Sequence, residues 1–322
     1  MSSFSFTTFE AISSICFFLA ILHTFMVKKF QHQALRYPEG SVGENLFHLL
    51  GEIEVVFGLW AGLFMLITYF SMGGVETIKY LDQRNFTEPL FVFVIMTVCS
   101  TDPILSIVDQ IILGFSRVLP LTRSMAVFIS ALVVGPLLGS FITEPAAMTV
   151  TALFLLKHFY NGAISERLKY ATLGLLFVNV SIGGTLTPYA APPVLMVAGV
   201  WGWDLQFMLT HFGFKAILAT VISAVLVAFV FKKEFKKIEI VKDAVNKIKT
   251  PLWVSFLHLF FLGLIIMNAH HDVVFMGLFL FFIGVVTVTK EYQSQLKIKE
   301  SLLVAFFLGG LVVLGGPQKW WL

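Results

Sequence analysis

The chain has 322 residues, of which 57% are hydrophobic and 13% are charged, and its formal net charge at pH 7 is +3. A soluble domain carries about a quarter charged residues, so this composition and the mean hydropathy of +0.88 predict an all-α membrane protein with several spans. The small net charge gives no reason to expect a nucleic-acid partner. Two cysteines, Cys16 and Cys99, are too few for a disulfide framework.

The first apolar segment, residues 9–27, is expected to remain in the mature protein. No Lys or Arg precedes it and no small-residue cleavage site follows it, so it lacks the features of a cleavable signal peptide. A membrane span needs roughly 20 apolar residues. By this measure the clear spans are residues 9–27, 44–70, 207–231, 252–268, 272–289 and 301–316.

Three polar residues of the second span recur at every fourth position and would share one helix face: Glu44, His48 and Glu52. An acidic side chain at membrane depth is costly and marks a functional site by default. Glu52 lies deepest in this span, so we expect it to be a secondary titratable group, acting as a proton relay or a gate. Glu44 and His48 are expected at the membrane interface.

The apolar segment 88–118 contains Asp102 followed by Pro103. This pair predicts an irregular helix, because proline cannot donate to the helical hydrogen-bond ladder. Asp102 either caps the half-helix that begins at Ile104 or provides a second titratable carboxylate along an ion pathway. The sequence leaves both interpretations open.

Basic residues flank the segment 124–160 and predict that both of its ends lie on the same side of the membrane. A re-entrant helical hairpin, with its tip at membrane depth, explains so short a turn among apolar residues. Two ordinary spans joined by a short outside turn are the alternative. The flanking basic residues are Arg117, Arg123, Lys157, Arg167 and Lys169.

The expected hairpin tip, residues 141–145, contains Thr143 and Glu144 before a proline. An unpaired backbone group costs several kcal/mol in hydrocarbon, so non-helical chain survives there only beside a cavity or a bound ion. Carbonyl groups released from a helix can join a carboxylate around a hard cation, and the same carboxylate can take up a proton. Glu144 is therefore the first candidate for ion and proton binding. A helix cap, or an ion pair with Lys or Arg, is its alternative role.

A second interruption falls at residues 183–193, inside the apolar segment 168–201. Its glycines allow backbones to approach closely, its threonines offer hydroxyl groups, and its prolines free carbonyl groups for ion contacts. We expect this broken helix to supply the other half of the site; a proline kink used only for packing is the alternative. The candidate residues are Asn179, Gly183, Gly184, Thr185 and Thr187.

The orientation follows from the basic loops. Lysines concentrate in residues 232–250, so this loop is expected in the cytoplasm, and the basic residues after the first span place the N-terminus outside. We expect one membrane domain, 1–322, without a soluble domain.

The two interruptions resemble those of a known family. Residues 179–188, with their Gly-Gly and Thr-Pro pairs, resemble the broken helix of the ion transporter superfamily, and residues 140–149 resemble its hairpin tip. The chain resembles the sodium/proton antiporters of this superfamily, which also holds arsenite and dicarboxylate carriers. Relatives often carry Asp-Asn at the tip, where this chain has Glu144-Pro145. The Ser-Asn-Thr signature of dicarboxylate carriers is absent from both interruptions.

This resemblance implies an inverted-repeat transporter, in which each repeat has one hairpin and one broken helix. The first repeat would be residues 1–231, with the hairpin at 124–160 and the broken helix at 168–201. The second would start in residues 251–322, and we expect it to be shortened at its C-terminal end because neither interruption recurs there.

The leading hypothesis is exchange of Na⁺, or a similar cation, for H⁺ across the cytoplasmic membrane. Glu144 would bind cation and proton in competition, with Gly184, Thr185 and Thr187 lining the site. The expected partners are these ions and the lipid bilayer; no cofactor is expected, and the sequence leaves a homodimer open. An anion carrier for arsenite or a carboxylate is the alternative, and a non-transporting scaffold is a remote one. An enzyme is not expected, since the sequence shows no nucleophile–base pair, phosphate loop or metal-ligand cluster.

Overall fold

The computed structural model describes residues 7–142, 144–160, 164–188, 190–191, 194, 197–198, 201–238, 240 and 250–320. Within these ranges every regular element is helical. The α-helices are Thr8–Ala34 (α1), Val42–Leu50 (α2), Ile53–Met72 (α3), Gly74–Asp82 (α4), Thr87–Cys99 (α5), Asp102–Ser116 (α6), Arg123–Ile142 (α7), Glu144–Leu155 (α8), Glu166–Gly183 (α9), Leu205–Val230 (α10), Lys232–Phe235 (α11), Leu252–Met267 (α12), Asp272–Val288 (α13) and Ile298–Gly315 (α14). Helix α8 continues as a π-helical turn at Leu156–Tyr160, α10 contains one at Leu209–Gly213, and 3-10 turns occupy Gly184–Leu186, Lys290–Tyr292 and Gly316–Trp320.

The helices confirm a multi-span membrane protein in general terms. By length and composition, five helices of the described chain can cross a membrane: α1, α3, α7, α10 and α14 with its 3-10 extension. Helices α5 and α6 form a sixth candidate span that bends by 73° at the residues before Asp102. The predicted irregularity at Asp102 is therefore present.

The predicted span 44–70 is wrong in one respect, because it consists of two helices. Helix α2 ends at Leu50, and Glu52 has an extended backbone (φ −93°, ψ 118°) at the start of α3. Glu52 therefore does not continue the helix face of Glu44 and His48, whose side chains lie 3.6 Å apart. The break is stabilised by α1: Nε2 of His23 lies 2.8 Å from the Leu50 carbonyl oxygen, and Gln31 donates to the Gly51 carbonyl oxygen at 2.8 Å.

The chain divides into two compact units, Met1–Phe93 with Ile298–Leu322, and Val94–Lys297. In the first unit α3 packs against α1 and α14. The α3–α14 contact is close because Gly310 faces backbone: a Cβ atom there would lie 2.3 Å from the carbonyl carbon of Phe57. In the second unit α7 is the central helix, largely buried against α6, α8, α9 and α10.

The substitution Gly310→Ala should destabilise the protein, because its methyl group must displace the backbone of α3. Overpacking of this kind costs about 1–3 kcal/mol, and thermal unfolding of the purified protein in a neutral detergent measures it. The matched control is Gly309→Ala, whose Cβ would lie 3.8 Å from the Phe86 ring, an ordinary contact. An unfolding midpoint for Gly310→Ala equal to that of the control would contradict the predicted helix contact.

Candidate functional site

The hairpin tip is formed by two helices that pack through small residues. A Cβ atom on Gly139 would lie 2.9 Å from the Ala147 Cβ, and one on Gly135 would lie 2.2 Å from Thr151 Oγ1. These pairs show that α7 and α8 run antiparallel in close contact. Helix α7 ends at Ile142 and α8 begins at Glu144, where the sequence predicts the tip; Thr143 lies outside the described residues.

The predicted interruption of the next helix is also present. Helix α9 ends at Gly183, a 3-10 turn follows, and Thr187 is extended (φ −127°, ψ 155°). Tyr189, Pro192 and Pro193 of this interruption lie outside the described residues.

Ser140, one turn before the hairpin tip, joins α7 to the break in α9. Its hydroxyl donates to the Gly183 carbonyl oxygen and accepts from the Leu186 backbone N–H at 2.9 Å. The Ser140 carbonyl accepts in turn from the Thr187 hydroxyl at 2.7 Å. Both Ser140 and Thr187 are fully buried. The hairpin thus satisfies backbone groups that the interrupted helix cannot pair internally.

Glu144 lies where the two interruptions meet. Its backbone N–H donates to the Ala190 carbonyl oxygen at 3.1 Å, and its carboxylate Oε1 accepts from the Ser181 hydroxyl at 2.6 Å. A Cβ atom on Gly184 would lie 3.8 Å from the Glu144 Cβ and 3.3 Å from the Ala191 Cβ. Glu144 is half-buried and Ser181 is exposed, so one side of the carboxylate is open.

Gly183 sets the distance between α7 and the broken helix. A Cβ atom there would lie 2.4 Å from the Pro136 carbonyl oxygen. A larger residue would therefore push α9 away from α7. Gly183 and Gly184 act at this site through their lack of a side chain.

Asn179 is fully buried and joins three helices rather than facing an open site. Its amide nitrogen donates to the Leu132 carbonyl oxygen at 2.7 Å and to the Thr220 carbonyl oxygen at 3.3 Å. Its amide oxygen accepts from the Ser223 hydroxyl at 2.7 Å. These bonds hold α7, α9 and α10 together just before the break.

The two threonines of the break already have hydrogen-bond acceptors. Thr185, in the 3-10 turn, donates to the Ile182 carbonyl oxygen of α9 at 2.7 Å, and Thr187 donates to the Ser140 carbonyl oxygen. Their contacts fix the shape of the break. Within the described part of the chain, neither threonine hydroxyl forms a hydrogen bond with the Glu144 carboxylate.

The secondary candidates lie elsewhere. Glu52 belongs to the first unit, and its Oε2 atom is buried with no hydrogen-bond partner among the described residues. The Asp102 carboxylate accepts from both the backbone N–H and the hydroxyl of Ser294, each at 2.7 Å. Asp102 therefore ties the bend between α5 and α6 to the segment after α13.

That segment is itself anchored to a buried histidine. Gln293 Oε1 lies 2.9 Å from Nε2 of His258, which is fully buried in α12, and the Gln293 amide nitrogen donates to Thr289 at 3.0 Å. The adjacent residues Gln293 and Ser294 thus connect α12 and α6 through their separate hydrogen bonds. No group of three or more His, Cys, Asp or Glu residues that could hold a metal ion occurs in the described part of the chain.

Two residues of this site, Ser140 and Ser181, are not among the residues chosen from the sequence. Each is a hydroxyl residue within one turn of an interruption, and that position is the signal that would have found them. The buried Ser140 pairs with backbone groups freed at the break, whereas the exposed Ser181 pairs with the Glu144 carboxylate.

The chain matches the family model described as "Putative Na+/H+ antiporter" over residues 8–322. Because the match covers almost the whole chain, the protein belongs to this family. The family and the apolar helices support a multi-pass membrane protein that transports cations and protons in general, rather than an enzyme. Comparisons with curated proteins and with solved structures found no match.

Replacing Ser140 with alanine should destabilise the second unit, because the Leu186 N–H and the Gly183 carbonyl would lose their buried partner. Leaving buried polar groups unpaired costs about 1–3 kcal/mol, measured by thermal unfolding in a neutral detergent. Ser130→Ala on the same helix is the control: Ser130 is equally buried, but its hydroxyl has no hydrogen-bond partner among the described residues. Equal unfolding midpoints for the two variants would contradict the bridging role.

Proposed function

We propose that this protein exchanges Na⁺ for H⁺ and that the Glu144 carboxylate binds both ions in turn. The observation that carries the proposal is the meeting of the two interruptions at this one acid. A carboxylate that carries a proton cannot hold a cation with the same oxygen atoms. Binding of either ion therefore releases the other, which is the basis of exchange.

The depth of Glu144 supports this role. The nearest basic residues along the two helices are Lys157 after α8 and Lys169 in α9. At 1.5 Å per residue, each lies roughly 20 Å from the interruption on its own helix. The hydrocarbon core is about 30 Å thick, so the lengths of α8 and α9 suit a tip inside it. Helix α7 is long enough to cross the core, so the re-entrant hairpin further requires that α7 be tilted or begin outside the core.

The groups around Glu144 suit a cation. A hard cation takes oxygen ligands, and the carboxylate is accompanied by the Ser181 hydroxyl on its open side. Helix α9 ends at Gly183, and the C-terminal end of a helix carries partial negative charge that attracts cations. An acid at this position repels anions, so neither the geometry nor the family favours the anion-carrier alternative.

The remaining predicted residues take supporting roles in this proposal. Gly183 and Gly184 allow the tip to approach the break, while Asn179, Thr185 and Thr187 hold its shape. Thr143 stays a proposed neighbour of the ion. Glu52 and Asp102 stay proposed secondary titratable groups, with Asp102 also serving as the anchor for Ser294.

The proposed setting is the cytoplasmic membrane, with the N-terminus outside and residues 232–250 in the cytoplasm. The inverted repeat, with residues 1–231 as its first half, also belongs to the proposal, as does membership of the wider ion transporter superfamily.

Glu144→Gln should abolish Na⁺-driven proton movement in proteoliposomes, because the amide can neither bind a proton at neutral pH nor offer a charge to Na⁺. A pH-sensitive dye inside the vesicles measures the flux after a Na⁺ step. Glu76→Gln is the control, since Glu76 is also in the first turn of a helix but is exposed. Undiminished exchange by Glu144→Gln would reject the assignment of this residue.

Ser181→Ala should weaken Na⁺ binding without abolishing exchange. Its hydroxyl oxygen is the proposed ligand beside the carboxylate, so the variant loses one oxygen ligand of Na⁺, and the Na⁺ concentration for half-maximal exchange should rise about tenfold for each 1.4 kcal/mol of lost binding. Ser71→Ala is the control, because Ser71 is another exposed helical serine and its hydroxyl bonds only to carbonyls of its own helix. A Na⁺ dependence unchanged from wild type would remove Ser181 from the site.

A further inference from the structure

A basic groove lies at the C-terminal end of α1. It has a volume of about 430 Å³ and is lined by Lys28, Lys29, His32, Gln33 and Arg36. No acidic side chain is among these lining residues.

The charged side chains of the groove have no bonding partner among the described residues. Lys28, Lys29 and Arg36 are exposed and make no hydrogen bond or ion pair through their side chains with any described residue. Lys28 and His32 are one turn apart on α1 and share a helix face, and Arg36 follows in the turn after the helix ends at Ala34. Lys28, Lys29 and Arg36 carry like charges, and an anion bound among them would offset their mutual repulsion.

The groove lies near the end of a helix that is longer than the hydrocarbon core of a membrane. Helix α1 has 27 residues, or about 40 Å at 1.5 Å per residue, whereas the hydrocarbon core is about 30 Å thick. One turn before the groove, Phe25 and Met26 are 80% and 41% exposed, as residues in contact with acyl chains would be. The change from exposed apolar to exposed basic residues within one turn marks the boundary of the hydrocarbon.

The adjoining segment is also suited to the interface. Helix α2 has no buried residue, and Val42 and Leu46 are 85% and 50% exposed. Leu35, beside Arg36, is 74% exposed. A phosphate in the groove would therefore have apolar side chains next to it, which is the arrangement that a lipid with its acyl chains requires and a free anion does not.

We propose that this groove binds the phosphate headgroup of an anionic membrane lipid. Basic residues near an anionic membrane surface each contribute about 1 kcal/mol of attraction. Three permanently charged residues, Lys28, Lys29 and Arg36, line the same groove and could contact one headgroup. Basic residues spread along a loop lack this arrangement. The inference is independent of the ion site at Glu144.

The test is a thermal-unfolding titration of the purified full chain in dodecyl maltoside. Phosphatidylglycerol, phosphatidylcholine and inorganic phosphate are added separately at equal phosphate concentrations. Only phosphatidylglycerol should raise the unfolding midpoint. The triple variant Lys28→Gln, Lys29→Gln, Arg36→Gln should raise the half-saturating lipid concentration on the order of a hundredfold.

The matched control is Lys233→Gln, Lys236→Gln, Lys237→Gln, which removes the same charge from exposed residues on the proposed cytoplasmic side. It should bind phosphatidylglycerol like the wild type. Equal loss of binding in both triple variants would overturn the proposal in favour of general charge attraction, and an equal response to inorganic phosphate would identify a free-anion site instead. If the triple variant does not fold, Arg36→Gln alone decides: an unchanged half-saturating concentration would also overturn the proposal.

Discussion

The docking of the hairpin tip onto the broken end of α9 is the interaction on which the second unit depends. Both elements carry backbone groups that no helix can pair, and each such group costs several kcal/mol in hydrocarbon. The structure pairs them with each other: Glu144 donates its N–H to Ala190, and Ser140 bridges the Gly183 carbonyl and the Leu186 N–H. Each interruption therefore depends on the other for the pairing of these backbone groups.

This pairing explains the composition of the surrounding helices. The tip can reach the break only if α7 and α9 approach closely, which requires glycine at position 183 against Pro136. The buried amide of Asn179 then fixes the same two helices to α10. The backbone is held by satisfied bonds, whereas the Glu144 carboxylate has a single described partner and an open side. In the proposed exchange, this frame would leave the Glu144 carboxylate available to bind an ion.

Sequence reasoning located both interruptions, because Gly, Pro and an acid within apolar helices are local signals. It predicted the ends of α7 and α9 near 142 and 183, and the irregularity at Asp102. It did not predict the break before Glu52, because that break has no proline and depends on α1 side chains, which only the fold brings there. Ser294, the partner of Asp102, is 192 positions away in the sequence, so this contact could not be predicted either. The helix interruptions that contain Gly, Pro and an acid can therefore be predicted from the local sequence. The hydrogen-bond partner of each polar group depends on tertiary packing.

If one carboxylate exchanges a proton for a cation, binding of Na⁺ must release that proton. Calorimetric titration of the purified protein with Na⁺, repeated at one pH in buffers with different ionisation enthalpies, measures this release, because the dependence on buffer gives the number of protons released per ion. We expect a proton release close to one per Na⁺ in the pH range where Glu144 exchanges, and none from Glu144→Gln. Saturable binding of Na⁺ without proton release at any pH, or unchanged release from the variant, would contradict it.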